Sequence, residues 1–155
     1  MSQLLDAIRG LPNAAEPLPG LVTGGQPGTP HLTALKAAGC EVVLDIREPM
    51  EPRPIRVPDA VRAAGLEYIN ISFGHSGIDD ATFTKVRDTV KAFVDKRKAF
   101  FHCASGNRVG AAMIPYLMLD RKLTQDDAIT EAMKMGMRSA GLMQEALDYV
   151  TRNSS

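Results

Sequence analysis

Ala99-Phe100-Phe101-His102-Cys103-Ala104-Ser105-Gly106-Asn107-Arg108-Val109-Gly110 decides the fold, together with the run that follows it, Ala111-Ala112-Met113-Ile114-Pro115-Tyr116-Leu117-Met118-Leu119. The apolar residues up to Phe101 read as the end of a buried strand, and the run from Ala111 reads as a mostly buried helix. Small and polar residues lie between them. A cysteine is therefore expected at the turn from a strand into a helix N-terminus. Free backbone N–H groups point outward at such a turn, and the helix dipole adds about half a positive charge. Both favour a thiolate over a thiol, and a nearby Arg adds to the effect. Gly106 allows a sharp turn in which successive N–H groups can form an anion-holding nest. Arg108 offers a planar fork matched to two oxygens of a tetrahedral anion. The stretch describes a thiolate nucleophile at the floor of an oxyanion cradle.

Outward from this stretch, strands and helices alternate. Ser2 to Arg9 can form a short helix, with Leu4, Leu5 and Ile8 on one side. Leu11 to Gly20 holds three prolines and reads as an extended arm. Leu21-Val22-Thr23 is a short strand, broken by Gly24-Gly25-Gln26-Pro27-Gly28. Thr29 is expected to cap a helix that runs to Ala38, with Pro30 at its first position. Cys40 to Ile46 is an apolar, β-rich run, and Cys40 reads as core. Pro49, Pro52, Pro54 and Pro58 make the next stretch an irregular loop, followed by a short helix from Asp59 to Ala64. Glu67 to Phe73 alternates as a strand. After the loop Gly74–Gly77, Asp79 or Asp80 caps a long helix whose Phe83, Val86, Val90, Phe93 and Val94 lie at helical spacing. Thr124 caps a further helix that Gly136 ends, and Ser139 to Thr151 is the last. The pattern predicts an α/β domain with a mostly parallel sheet of four or five strands and helices on both faces. Residues 1–20 form the N-terminal helix and arm, and residues 21–152 the single domain. The Cys loop falls at the carboxyl end of a strand, where such sheets bind ligands.

His102-Cys103-x-x-Gly106-x-Arg108 resembles the signature loop of the cysteine-dependent phosphatases. It departs from that signature twice. Four residues separate Cys103 from Arg108 where those phosphatases have five, and Val109 stands where they usually carry Ser or Thr. The shorter loop resembles that of rhodanese-type sulfurtransferases. Over Leu21 to Thr151 the chain is similar to the phosphatase-like domain of β-lactamase-hydrolase-like proteins, a small bacterial family. Further marks of that likeness are Thr23-Gly24-Gly25-Gln26-Pro27, Leu44-Asp45-Ile46-Arg47 and Leu123-Thr124-x-x-Asp127-Ala128. The resemblance implies a fold like that of dual-specificity phosphatases and a mechanism through Cys103, with no cofactor.

Composition bounds the remaining possibilities. The 155 residues suit one domain with a substantial core, and 45% of them are apolar. Eighteen basic residues balance eighteen acidic ones, so no basic excess argues for nucleic acid or a membrane surface. No apolar run approaches the roughly eighteen residues that span a bilayer. Met1 to Gly10 carries Asp6 and Arg9 and no long apolar core, so a cytoplasmic setting is expected. Two cysteines, Cys40 and Cys103, are too few for a disulfide framework. His31, His75 and His102 are scattered without ligand spacing, and no metal site is expected.

The candidate site is thus Cys103 as nucleophile, against the reading of a plain buried cysteine, and Arg108 as anion clamp, against a structural ion pair near a helix start. The residues Ala104, Ser105, Gly106, Asn107 and Val109 line the cradle. For Ser105 and Asn107, loop shaping is an equally simple role. His102 precedes the nucleophile, so its side chain should point away from the substrate and support the loop, or simply pack. Asp45 and Arg47 flank Ile46 at a strand end, where charges tie the fold together or touch substrate. Phosphatases of this type use an Asp to protonate the leaving oxygen, and the loop before the long helix offers Asp79, Asp80 and His75. Both carboxylates also suit the role of N-cap. Lacking such an acid costs roughly two to four powers of ten in rate.

Three functions compete. The first is hydrolysis of phosphomonoesters, phosphotyrosine-type esters among them, through a phosphocysteine. The second is sulfur transfer through a Cys103 persulfide, which needs no acid and suits the short loop. The third is non-catalytic binding of phosphate or another anion. Each takes a small anionic or phosphorylated partner.

Overall fold

The computed structural model describes residues 2–53 and 56–154. Pro54, one of the prolines of the expected irregular loop, lies outside them. The sheet is built around β5 (Ala99–His102), whose four residues are all buried. Parallel to it run β2 (Leu21–Gly24) on one side and β3 (Val42–Asp45) on the other. Beyond β3 lies β4 (Glu67–Asn70), also parallel. At the opposite edge β1 (Ala15–Leu18) pairs with β2 antiparallel, giving the order β1-β2-β5-β3-β4. The arm read as extended therefore supplies an edge strand, with Pro17 inside it, a position where a missing N–H costs little.

Strand alternation sorts the core. Phe100, with Val22 and Val43, packs under α1 (Gln3–Ala7), α2 (Thr29–Ala37) and α3 (Val57–Ala63). Phe101, with Leu21, Val42 and Leu44, packs under the helices of the other face. Those are α4 (Asp80–Phe93), α5 (Asn107–Pro115), α6 (Gln125–Lys134) and α7 (Ala140–Asn153). Because side chains alternate, Cys103 joins the Phe101 side and His102 the Phe100 side.

Register fixes where the loops emerge. Gly24, His102 and Asp45 lie level across β2, β5 and β3. The segments after them, Gly25-Gln26, Cys103–Gly106 and Ile46–Arg53, therefore leave the sheet side by side at its carboxyl edge.

Helix ends follow their residues. Asp79 accepts from Thr82 N (2.8 Å), Thr124 from Asp127 N (3.2 Å) and Ser139 from Leu142 N (3.1 Å). The expected Thr29 cap is corrected: Gly28 occupies the N-cap, Thr29 is already helical, and Gly28 N–H donates to His31 Nδ1 (3.0 Å). The helix after the Cys loop is buried on nearly every side up to Pro115. Pro115 has no N–H to give the preceding turn, and the chain widens into a π-helical turn at Tyr116–Asp120, closed by Arg121 N to Tyr116 O (3.1 Å). Among the described residues no helix is long and apolar enough to cross a membrane.

Candidate active site

The loop from Cys103 to Arg108 joins β5 to the N-terminus of α5. Its shape is set by three hydrogen bonds from outside. His102 Nδ1 contacts Cys103 O (3.1 Å), Gln26 N–H donates to Ala104 O (2.8 Å), and Asn13 Nδ2 donates to Ser105 O (2.7 Å). In a planar trans peptide the C=O and the following N–H point in opposite directions. Holding three successive carbonyls outward therefore turns the N–H groups of Ala104, Ser105 and Gly106 the other way, which makes a nest. The Gly106 N–H donates to Cys103 Sγ (3.1 Å). Gly106 can close this turn because its φ is +95°, a conformation that side chains disfavour. Gly25 permits the approach of Gln26, since a Cβ there would stand 2.7 Å from Ala104 O.

His102 is fully buried and stacks on Phe100 with ring centroids 5.3 Å apart. Burial holds its pKa down, so the ring is neutral; with the Nδ1–H given to Cys103 O, Nε2 is left as a buried acceptor without a partner among the described residues. Cys103 itself exposes no surface.

Arg108 is buried at the start of α5. Its Nη1 donates to Glu51 Oε2 (2.6 Å) and to Phe73 O (3.1 Å), and its Nη2 donates to Glu51 Oε1 (2.9 Å). A guanidinium has five N–H donors. These three bonds leave the Nε–H and the second Nη2–H, which form one parallel edge suited to two oxygens of an anion. Burial works against the Arg108 charge, but Glu51 and the nearby Cys103 sulfur outweigh it and raise its pKa.

Glu51 is itself held in place by Arg47 Nε (3.0 Å) and Glu48 N (2.8 Å). Its hydrogen bond to Arg108 is the main cause that brings its carboxyl down to about 2. Arg47 further donates to Gln26 Oε1 (2.7 Å) and Pro52 O (2.6 Å). Asp45 is fully buried and accepts from Arg47 N (2.8 Å), Arg53 Nη2 (3.0 Å) and Tyr68 OH (2.7 Å). This network welds the Ile46–Arg53 segment against the Cys loop. Beside Glu51 it leaves a cavity of about 520 Å³, lined by Arg53, Arg56, Tyr68 and Asn70 among others.

The other expected residues are placed as follows. Asn107 turns its side chain away from the sulfur, and its Oδ1 accepts from Arg138 N (2.7 Å) and Ser139 N (3.3 Å). Val109 is buried in the larger core, Ser105 is exposed and Ala104 half-buried. Asp79 is exposed and its carboxyl is pulled below the usual range by hydrogen bonds to Thr82. Asp80, also exposed, pairs with Arg152 (2.7 Å), which lowers its carboxyl likewise. Both are ionised near neutral pH, whereas a general acid must carry its proton. His75 lies exposed two residues beyond Phe73, whose carbonyl holds Arg108. Sequence reasoning missed Glu51 and Asn13, which reach the site from 57 and 92 residues away along the chain. No local pattern announces either. Gln26 lies in a stretch already marked by the family resemblance.

No family model matches the chain, and no curated protein matches it. Solved structures do. A putative phosphatase (DUF442) from Shewanella putrefaciens CN-32 aligns with a TM-score of 0.78 at 17% identity, over 96% of this chain and 97% of that one. The core catalytic domain of the PP-IP phosphatase SIW14 from S. cerevisiae, in complex with citrate, aligns with a TM-score of 0.74 at 16% identity, over 90% and 86%. TpbA of P. aeruginosa, in complex with phosphotyrosine, aligns with a TM-score of 0.66 at 17% identity, over 90% and 82%. The chain has the α/β fold of the cysteine-based tyrosine and dual-specificity phosphatases.

Proposed function

We propose that this protein is a cysteine-dependent phosphatase of the β-lactamase-hydrolase-like phosphatase family, cleaving phosphomonoesters through a phosphocysteine at Cys103. One observation carries the reading: a buried cysteine sulfur accepts a backbone N–H from its own loop, next to an arginine that keeps one two-donor edge outside its structural bonds. The Cys103 thiolate attacks phosphorus, an S–P bond forms and the ester P–O bond breaks. The N–H groups of Ala104, Ser105 and Gly106 and the free edge of Arg108 receive the equatorial oxygens. Water then cleaves the S–P bond and releases phosphate. With Asp79 and Asp80 held ionised, the leaving oxygen takes its proton from His75 or from solvent, and esters with good leaving groups react best. An aryl phosphate of the phosphotyrosine type fits this requirement, and TpbA with phosphotyrosine supports it.

Sulfur transfer is the second reading, favoured by the four-residue spacing and by the same ionised carboxylates. Here the Cys103 thiolate attacks the outer sulfur of a thiosulfate-like donor, whose S–S bond breaks to release sulfite. An acceptor thiolate then attacks the outer sulfur of the Cys103 persulfide and frees the Cys103 thiolate. The test is turnover of p-nitrophenyl phosphate beside turnover of thiosulfate with an acceptor thiol, each followed by acid quench and mass analysis of the Cys103 peptide. A phosphate adduct with ester turnover is expected. A retained sulfur atom with thiosulfate turnover, and no ester turnover, overturns the proposal in favour of the second reading. Binding of phosphate with neither activity leaves only the anion-binding role.

A further inference from the structure

We propose that Asn13 is a positioning residue for the Cys103 thiolate, acting through the Ser105–Gly106 peptide. The inference rests on reading Cys103 as the nucleophile and adds a residue from the N-terminal arm to that site. The Ser105 carbonyl and the Gly106 N–H belong to one planar unit. Asn13 Nδ2 donates to that carbonyl at 2.7 Å, and the Gly106 N–H donates to Cys103 Sγ at 3.1 Å. Pulling the oxygen outward is thus the same act as aiming the N–H at the sulfur.

This peptide needs such a hold. Gly106 sits at φ +95°, and a glycine tolerates both orientations of the peptide that precedes it. In the flipped state the Ser105 carbonyl oxygen would face the sulfur, where it repels a thiolate, and the N–H would be lost to it. The neighbouring carbonyls of Cys103 and Ala104 are held by His102 and by the Gln26 backbone. The carbonyl next to the glycine is held by the Asn13 side chain.

The surroundings of Asn13 are built for the task. Its φ is +57°, a left-handed conformation that Asn accepts more readily than most residues. It is wedged between two glycines: a Cβ on Gly106 would come within 2.9 Å of Asn13, and one on Gly136 within 2.4 Å. The arm does not need the Asn13 amide to stay in place. Gly25 N already donates to Pro12 O (2.9 Å), and β1 pairs with β2 just beyond. The contact the amide adds is the one to the Ser105 peptide.

The test is the pH profile of iodoacetamide alkylation at Cys103, read by peptide mass in the full chain, for wild type, Asn13→Gly and Asn13→Asp. Glycine keeps the left-handed backbone and removes the donor. Aspartate keeps the shape between Gly106 and Gly136 and replaces the donor with an acceptor. Its charge also repels the thiolate directly. The glycine variant thus isolates the lost donor, and an unshifted midpoint in the aspartate variant overturns the inference even if the glycine variant loosens the arm. A hydrogen bond to a charged sulfur is strong enough that its loss should move the midpoint upward by about one pH unit, with a larger shift for Asn13→Asp. Ester turnover at neutral pH should fall about tenfold, in kcat more than in KM. Folded variants with a wild-type midpoint would overturn the inference and leave Asn13 as an anchor of the arm. Alkylation does not depend on ester hydrolysis. A wild-type thiol that is protected by phosphate but turns over no ester would refute the phosphatase reading while leaving this inference standing.

Discussion

The two cysteines are both fully buried, and their sulfurs do opposite things. Cys40 sits at the amino end of the sheet, just after the C-terminus of α2, where its N–H bonds to Leu35 O (2.9 Å). Its thiol donates to Val42 O (3.4 Å), and burial pushes its pKa up to about 11. Cys103 sits at the carboxyl end, just before the N-terminus of α5, and its sulfur accepts the Gly106 N–H (3.1 Å). The Cys40 thiol gives its hydrogen bond to a carbonyl just past the C-terminus of a helix, whereas the Cys103 sulfur receives one from an N–H at a helix N-terminus. Burial alone therefore says little about a thiol. The direction of the hydrogen bond differs between the two ends of the sheet, and the proposed role of Cys103 as nucleophile draws on that difference.

The largest effect expected from breaking this contrast is at the sulfur itself. Cys103→Ser should lower ester turnover by about a thousandfold or more while the fold survives, because a hydroxyl is not ionised near neutral pH. Cys40→Ser should leave kcat within a factor of about two and cost stability only, about 1 kcal/mol, for placing a hydroxyl in an apolar site. Steady-state kinetics and thermal unfolding of the two variants check the pair.

Next in size is Arg108→Lys, which keeps the charge but not the planar fork. A loss of about a hundredfold in kcat/KM is expected, with weaker protection by phosphate. Equal rate and equal phosphate affinity would show that only the charge matters at the positive end of α5.

A smaller effect is expected from Glu51→Gln. An amide presents one acceptor oxygen where the carboxylate presents two, so Arg108 loses its end-on clamp and its free edge is less well aimed. About a tenfold fall in kcat is expected. The variant also has a signature in stability. The Glu51 carboxyl is depressed from 4.5 to about 2 in the folded protein, chiefly by its bond to Arg108. Its stabilising contribution is full above pH 4.5 and is lost as the pH falls toward about 2. Unfolding temperatures measured down through that window should fall more steeply in wild type than in Glu51→Gln.

The strand–loop–helix around Cys103 was legible in the sequence, and the side chains that pack against it were not. β5, the Cys loop and α5 are contiguous, so residue type and spacing suffice to read them. The caps at Asp79 and Thr124 are equally local. By contrast β1 became a strand inside a proline-rich arm only because β2 offered a free edge, a tertiary condition. Expected β4 ended early, at Asn70, where its side-chain amide bonds Asp45 O (2.8 Å) and Arg47 O (3.0 Å). Helix α2 took Gly28 as its cap because His31 reaches back to the Gly28 N–H, which removes the need for a Thr29 side-chain cap. Glu51 and Asn13 act across long stretches of chain through single side-chain contacts, and such contacts leave no periodic trace.

Alkylation of both thiols in one sample tests the central contrast most directly. Wild-type protein is treated with iodoacetamide across a pH series, with and without phosphate, and the Cys40 and Cys103 peptides are quantified together. Cys103 should react at a pH well below that at which Cys40 reacts, and phosphate should slow Cys103 alone. Alkylation of both thiols over the same pH range, with no protection by phosphate, would contradict the account.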